Sequence, residues 1–206
     1  MSAQSLSWQQ SLFATGSPAV DRSFTGIRRH RLDATAWVDH CPGWLDGADD
    51  VFAWLLEEAP WKAIDVEMYG RILPQPRLVA RWPYDPAAGV ALPSVLEDIR
   101  AALTQRYRRA FDSVAANLYR NGRDSVAWHG DRIPKEIRDP LVATISLGHT
   151  RRFLLRPRGG ATQLKLELGP GDLCVMGGSS QRTWQHSVPK VAQAGPRISI
   201  TVRHSR

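Results

Sequence analysis

Few features of a secreted or membrane-bound protein are present in this sequence. Its 206 residues include only two cysteines, Cys41 and Cys174, which are too few for a disulfide framework and favour a reducing compartment. Residues 1–11 lack the apolar segment of a signal peptide, and no apolar run approaches the roughly 18 residues that a membrane helix needs. We therefore expect a cytoplasmic monomer without a membrane partner.

Acidic residues are also scarce. The chain has 20 aspartates and glutamates against 27 lysines and arginines, which gives a formal net charge of +7 and a pI near 10.0. This balance favours an anionic partner, nucleic acid above all, although a soluble enzyme from an arginine-rich proteome would have the same composition. The length suits a single domain spanning residues 1–206.

The front of the chain predicts two helices. Apolar residues at four-residue spacing indicate a helix over residues 46–58, with Asp46 as its cap. A second helix is expected over residues 93–109, where Ser94 and Glu97 have the spacing of a capping box. Residues 66–84 lie between the helices and are interrupted by glycine and proline, which predicts short strands and turns.

From residue 113 onward the pattern changes to short strands bounded by glycine and proline. The predicted strands are 114–119, 141–147, 152–155, 164–168, 173–176 and 197–203. This spacing is typical of an antiparallel sandwich or jelly roll. We therefore expect an N-terminal α/β part over about 1–112 and an all-β catalytic core over about 113–206.

A candidate metal site consists of two histidines and one carboxylate. Residues two apart in a strand point the same way, so His129 and Asp131 could reach one metal from a strand end, with His186 supplied by another strand. Two histidines and a carboxylate form the facial triad of non-haem Fe(II) sites. The H-x-D motif alone is weak evidence, and His186 alone could be an ordinary hydrogen-bonded histidine.

The C-terminal strand alternates strictly between polar and β-branched apolar residues. The polar face holds Arg197, Ser199, Thr201 and Arg203. Two arginines facing a sandwich interior would be costly without an anion, and the dicarboxylate 2-oxoglutarate is a suitable one. Asn117 and Tyr119 share one face of another strand and could donate hydrogen bonds to carboxylates. The alternative is that the polar face of the C-terminal strand faces solvent.

In combination, these motifs resemble the AlkB-type nucleic-acid dealkylating dioxygenases. The segments that carry the resemblance are Asn117-Leu118-Tyr119, Trp128-His129-Gly130-Asp131, Ile145-Ser146-Leu147-Gly148, Gly171-Asp172-Leu173, Trp184-Gln185-His186 and residues 197–203. In the front half, Pro76-Arg77 resembles part of the family's nucleotide-recognition lid. The resemblance implies a mostly β fold with flanking helices, namely a double-stranded β-helix (jelly roll) core with an N-terminal α/β lid.

The resemblance also implies a set of ligand contacts. His129, Asp131 and His186 would hold Fe(II), and Arg197 would pair with the C5 carboxylate of 2-oxoglutarate, assisted by Tyr119 and Asn117. Arg203 would lie near the C1 end of the co-substrate and near the metal-binding aspartate. Ser199 stands where the family usually has asparagine, and its shorter side chain leaves the usual contact with the co-substrate open.

On the substrate side the resemblance implies an alkylated base stacked between the first metal histidine and an aromatic residue of the lid. The candidate aromatics are Tyr69, Trp82 and Tyr84, for which ordinary core packing is the alternative. Ile133 occupies a position that is usually acidic in members repairing 1-methyladenine and 3-methylcytosine. Because an apolar side chain cannot accept a hydrogen bond from the base, we expect a different lesion preference.

Basic residues follow the turn after residue 150. Arg151 and Arg152, with Arg156 and Arg158, could line a phosphate track or simply form a solvated face.

The predicted function is oxidative dealkylation of N-alkylated bases in DNA or RNA, preferably single-stranded. The reaction would use Fe(II), 2-oxoglutarate and O2 and give succinate, CO2 and an aldehyde. One alternative is a 2-oxoglutarate-dependent hydroxylase of a protein or small molecule, which Ile133 favours and the high pI opposes. Another is a non-catalytic jelly-roll binding module, which would not need Arg197 and the triad together.

Overall fold

The computed structural model describes residues 17–68, 71–83, 89 and 91–204. Within them the chain forms strands β1 (Ala19–Val20), β2 (Arg28–Arg31), β3 (Ala36–Cys41), β4 (Leu45–Asp46), β5 (Lys62–Met68), β6 (Arg71–Trp82), β7 (Ser113–Tyr119), β8 (Val126–His129), β9 (Val142–Gly148), β10 (Arg151–Pro157), β11 (Leu164–Leu168), β12 (Leu173–Gly178), β13 (Trp184–Val188) and β14 (Arg197–Arg203). The helices are α1 (Ala48–Glu58), α2 (Ser94–Tyr107) and α3 (Ser180–Thr183). No helix in these parts of the chain has the length and apolarity that a membrane crossing requires.

Two antiparallel sheets form the core of the molecule. The larger has eight strands in the order β2-β3-β12-β9-β14-β7-β6-β5, and the smaller has four in the order β11-β10-β13-β8. Side chains from both sheets meet in one buried cluster, which includes Val38 and Met176 from the larger sheet and Phe153, Leu166 and Val188 from the smaller. Two antiparallel sheets packed face to face in this way confirm the predicted jelly roll.

The opposite face of the larger sheet is covered by α1 and α2. Phe52 and Leu55 of α1 and Ile99 of α2 are fully buried, and they share one cluster with Ile198 and Ile200 of β14. The four-residue spacing that predicted the helices is therefore the spacing of their buried faces. The helices therefore cover one face of the larger sheet, and the smaller sheet packs against the other face.

Strand β14 is a central strand of the larger sheet. It pairs over all seven residues with β7 on one side and with β9 on the other. Its isoleucines and valine face the helices, while Arg197, Ser199 and Thr201 are buried on the side of the smaller sheet. The alternative in which the polar face points to solvent is thereby excluded.

Several local predictions were wrong. The N-cap of α1 is Gly47, at φ 64°, rather than Asp46, and neither α1 nor α2 has a side-chain cap. Glu97 pairs with Arg100 instead of forming a capping box with Ser94. A helix that buries one face in a large core does not depend on such caps, so the cap motif carries little information here.

The segment expected to break at its prolines forms one long strand, β6. Pro74 and Pro76 lie in the part of β6 that pairs with β5 but extends beyond the register with β7, which begins at Leu78. A proline is tolerated where the missing N–H would face an open edge. Beyond residue 113 the predicted all-β region also contains the short helix α3.

Candidate active site

The three predicted metal ligands meet between the two sheets. His129 ends β8, His186 lies in β13, and these two residues are directly paired across the strands. Asp131 follows two residues after β8, and its Oδ1 lies 3.5 Å from Nε2 of His129 and 3.8 Å from Nε2 of His186. One ligand atom from each of the three residues lies within 4.8 Å of the others. The cluster has the donor set and the spacing of a site for one divalent metal ion.

The loop and strand around the triad orient the ligands. Nδ1 of His129 lies 2.9 Å from the carbonyl oxygen of Ala127, so the Nδ1–H tautomer can donate there and leave Nε2 as the metal-facing lone pair. Arg203 donates from Nε to Oδ2 of Asp131 at 2.7 Å. The histidine and the carboxylate are thus each held from the side away from the metal position.

Electrostatics favours the protonation states that a metal needs. Burial and the neighbouring His129 lower the pKa of His186 to about 3. Burial alone would raise the pKa of Asp131, but the contact with His129 and the charge of Arg203 outweigh it, so that the pKa lies well below its usual range. At neutral pH the cluster therefore presents a neutral imidazole at His186 and a carboxylate anion at Asp131.

Gln181 and Gly130 were not predicted as part of the site. The main-chain N–H of Asp131 donates to Oε1 of Gln181 at 2.9 Å. A Cβ on Gly130 would lie 2.5 Å from the carbonyl oxygen of Gln181, so only glycine allows this approach. The glycine between the two ligands of the H-x-D motif was the available signal, but the sequence does not reveal its partner.

The three metal ligands line a cavity between the sheets, and Arg197 is buried in the wall of this cavity. It is 1% exposed, and its contacts within the described chain are with neutral groups: Nε donates to Oγ of Ser146 at 3.0 Å, and the ring of Tyr119 lies 5.2 Å from Cζ. Its Nη1 is buried without a hydrogen-bond partner in that part of the chain. Burial lowers the pKa of Arg197. A buried guanidinium with an unused donor is costly unless an anion binds it, so the residues present suit a carboxylate ligand.

The cavity wall also includes polar side chains of three adjacent strands. Asn117 and Tyr119 of β7 line it together with Ser199 of β14. Arg77 of β6 also lines it and donates from Nε to Oδ1 of Asn117 at 3.0 Å. The resemblance had placed Arg77 in the lid region but had assigned it no role in the cavity.

Of the three candidate aromatics, Trp82 lies within the described part of the chain, and it does not reach the site. Tyr69 and Tyr84 lie outside the described residues. Trp82 pairs with Val114 in the register of β6 and β7, and directly paired residues point to the same face of a sheet. Because Val114 is buried in the cluster beneath the helices, Trp82 faces away from the cavity and packs there too. The prediction that Trp82 stacks on the base is therefore corrected.

The predicted phosphate track is also only partly compatible with the structure. Arg151 is 2% exposed, and its guanidinium donates to the carbonyl oxygens of Asn121, Asp124 and Pro189. Arg151 therefore links two loops through their carbonyl groups and cannot reach a phosphate. The prediction that Arg151 lines a phosphate track is corrected. Arg152 is exposed on the outer face of the smaller sheet and pairs with Glu167 at 3.1 Å.

Ile133 lies near the metal ligands. It is half-buried, packs against the cluster between the sheets and lines a groove to which Asp131 also contributes.

Comparison with known proteins agrees with this geometry. Residues 65–203 match the 2OG-Fe(II) oxygenase superfamily. The chain is 36% identical over 204 residues to the alpha-ketoglutarate-dependent dioxygenase alkB homolog 3 of Bos taurus, a match that covers 89% of this chain and 68% of the relative. It is 29% identical over 192 residues to the DNA oxidative demethylase ALKBH2 of Arabidopsis thaliana, covering 74% of this chain and 60% of the relative.

A solved structure shows the same fold. The structure of OsALKBH1 superposes with a TM-score of 0.57 at 15% identity, covering 86% of this chain and 100% of that one. The family match, the relatives and the His-Asp-His cluster together establish the type of enzyme. The chain belongs to the 2OG-Fe(II) oxygenase superfamily and is an AlkB-type dioxygenase that depends on Fe(II) and 2-oxoglutarate.

Proposed function

We propose that this dioxygenase removes N-alkyl groups from the bases of DNA or RNA, with a preference for single strands. The observation that carries the chemistry is that a His-Asp-His cluster and the buried, incompletely bonded guanidinium of Arg197 line one cavity. A metal ligand set and a carboxylate-binding cation in a single cavity suit a reaction that needs both a metal and an organic acid.

Eight polar residues of the cavity have a role in this proposal. His129, Asp131 and His186 hold Fe(II), and Arg197 binds the distal carboxylate of 2-oxoglutarate. Asn117, Tyr119 and Ser199 line the co-substrate position, where the short hydroxyl of Ser199 can donate one hydrogen bond. Arg203 keeps Asp131 oriented and anionic through its 2.7 Å hydrogen bond.

When bound, the iron and the co-substrate supply an oxidation that places one oxygen atom of O2 on the N-alkyl carbon and the other in succinate, with loss of CO2. The resulting N-hydroxyalkyl base breaks its N–C bond. The hydroxyl loses its proton as the aldehyde forms, and the electron pair of the broken N–C bond remains on the base nitrogen.

Nucleic acid is supported as the substrate by relatives and by charge. One relative is named a DNA oxidative demethylase, and the chain has a net charge of +7. Exposed cations surround the groove beside Asp131, namely Arg132, Lys135 and Arg158. Single strands need no base pair broken before a base enters a cavity, which is the basis of the strand preference.

The test is a panel of matched oligonucleotides that carry different N-alkylated bases, presented as single strands and as duplexes. Loss of the alkyl group is read by mass, and succinate is measured in the same reactions. We expect dealkylation of single strands and binding that weakens steeply with added salt, because phosphate contacts release counterions. Turnover of a protein or a metabolite with no action on any alkylated nucleic acid would establish the alternative substrate class instead.

Two aspartate variants of one loop are compared in this panel, one as the test and one as its control. Asp131→Ala removes a ligand and its charge, and we expect it to lose iron binding and turnover together. Asp139→Ala removes an exposed carboxylate of the same loop and should behave like the wild type. Normal iron content and succinate formation in Asp131→Ala would refute the ligand assignment.

We also propose that the enzyme acts as a monomer. The edge strand β2 of the larger sheet carries Arg28, Arg29 and Arg31, all exposed. Charged residues on an open edge oppose pairing with a second sheet. Sedimentation equilibrium at two protein concentrations would test this, since a dimer would give a mass that rises with concentration.

A further inference from the structure

The short helix α3 contacts the segment that follows the metal ligand Asp131. Nη2 of Arg182 lies 3.1 Å from the carbonyl oxygen of Pro134, 3.3 Å from that of Lys135 and 2.5 Å from that of Ile137. The neighbouring Gln181 accepts the main-chain N–H of Asp131. Two consecutive side chains of α3 thus hold the main chain of residues 131–137.

This segment has little other support for its main chain. Residues 130–141 form neither strand nor helix, and within 131–137 the described main-chain hydrogen bond is a single turn, from the N–H of Ile137 to the carbonyl of Pro134. A charged donor shared among three carbonyls is stronger than neutral hydrogen bonds. The conformation of the segment therefore depends on Arg182 more than on its own pairing.

The held segment forms one wall of a groove beside the metal ligands. Asp131 lies at the inner end, and Ile133, Pro134 and Pro140 give the groove an apolar lining. Arg182 and Arg158 form the facing side, where Nε of Arg158 donates to the carbonyl oxygen of Arg182 at 3.2 Å. A substrate that approaches the metal along this groove would contact the segment.

We propose that Arg182 is a positioning residue for substrate selection. It holds residues 132–137 in the shape that admits the alkylated base and the strand beside it, while making no contact with the metal ligands' side chains or with Arg197. This inference rests on the proposed function for the identity of the substrate. The holding of the segment itself can be measured without any substrate.

The experiment compares three variants of the full-length, iron-loaded protein. Arg182→Ala removes the three contacts, and Arg182→Lys keeps a charged donor of similar reach. Arg138→Ala is the control, because Arg138 is an exposed arginine of the same loop without a hydrogen bond or ion pair in the described chain. Amide hydrogen exchange is followed at Ile137, whose N–H makes the turn hydrogen bond to the carbonyl of Pro134, and KM is measured separately for a methylated oligonucleotide and for 2-oxoglutarate.

We expect Arg182→Ala to raise exchange at the Ile137 amide about tenfold to a hundredfold, because the turn opens more often without the charged donor that holds its carbonyls. The KM for the oligonucleotide should rise about tenfold while the KM for 2-oxoglutarate stays unchanged, and Arg182→Lys should recover part of both losses. Arg138→Ala should match the wild type in exchange.

Two results would overturn the inference. Unchanged exchange in Arg182→Ala would show that the segment does not depend on the arginine. Faster exchange with an unchanged oligonucleotide KM would show that the held segment does not select substrate. If the wild type acts on no alkylated nucleic acid, the proposed function fails, and the exchange data still decide whether Arg182 holds the segment.

Discussion

Arg203 donates a hydrogen bond to one carboxylate oxygen of Asp131, and the other oxygen faces the two histidines of the metal site. Nε of Arg203 lies 2.7 Å from Oδ2 of Asp131, while Oδ1 of the same group faces His129 and His186. The arginine comes from β14 and the aspartate from the loop after β8, so the contact joins the two sheets at the metal site. It leaves one oxygen free for a metal and fixes its direction.

This relationship predicts the behaviour of Arg203→Ala. Removing a partner that orients a metal ligand usually costs about 10-fold to 100-fold in metal affinity or activity, and we expect a loss in this range. Titration of the apoprotein with Fe(II) under anaerobic conditions would measure it. Arg138→Ala serves as the charge-matched control, and equal iron affinity in the two variants would contradict the role of Arg203.

Arg197→Ala should affect the co-substrate and leave the metal site formed. Truncating one partner of a buried charge pair costs about 2–5 kcal/mol, which corresponds to about thirtyfold to several-thousandfold in affinity. The measurement is the 2-oxoglutarate concentration that gives half-maximal succinate formation, alongside iron binding. Conversely, 2-oxoglutarate should raise the melting temperature of the wild type and not that of the variant. An unchanged 2-oxoglutarate requirement would rule out the clamp.

Ile133→Asp should shift the lesion profile. An acidic side chain at the groove can accept a hydrogen bond from the amine of a methylated base, which isoleucine cannot. We expect the variant to improve on 1-methyladenine or 3-methylcytosine relative to less polar adducts, in single-stranded oligonucleotides scored by restored base per unit time.

The control for this shift is Ile133→Asn, which has the same shape as aspartate but no charge. Because Ile133 is half-buried against the cluster between the sheets, both polar variants should lose about 1–2 kcal/mol of stability, and this loss must be equal for the comparison to hold. Identical lesion profiles in wild type and Ile133→Asp would remove the role assigned to this position.

Asp172 should make stability depend on pH. Burial alone raises the pKa of Asp172, but its contacts with His40 and with the amides of Gly43 and Gly169 outweigh burial and lower the pKa below its usual value of 3.8. A carboxylate with a lowered pKa stabilises the fold at pH values above its unfolded pKa, and this contribution is lost as the pH falls through the folded pKa.

Urea unfolding of Asp172→Asn across a pH series would measure this contribution. At pH 7 we expect the variant to be about 1–3 kcal/mol less stable than the wild type. The gap should shrink as the pH falls below about 4, close to the unfolded pKa of aspartate. Asp139→Asn changes an exposed carboxylate in the same way and is the control, which should match the wild type at pH 7. A gap for Asp172→Asn that does not change with pH would contradict the assignment.

The sequence predicted what depends on alternation and on chemically distinctive residues. The period of two in β14 predicted which residues share a face with Arg197, and the structure shows that this face is buried. The His-Asp-His cluster was predictable only because several motifs occurred together and resembled one family, since the H-x-D motif alone is weak evidence. Helices α1 and α2 were predicted from the apolar stripes that they bury.

The sequence could not predict what depends on register or on distant partners. The face of Trp82 follows from its pairing with Val114, which a sequence does not specify. The burial of Arg151 follows from carbonyl groups supplied by two separate loops. Gln181 approaches Asp131 across 50 positions of the chain, and no local pattern indicates that contact.

The place of β14 between β7 and β9 has a consequence for how this protein can vary. Insertion or deletion of one residue in β14 would exchange its two faces, burying Arg197 under the helices and putting isoleucines into the cavity. The loop of residues 132–140 and the loop of residues 189–196 carry no such constraint, because neither contributes a strand. Length changes among descendants of this chain should therefore collect in those two loops and be absent from β14, so that substrate range can diverge while the oxidation chemistry is inherited intact.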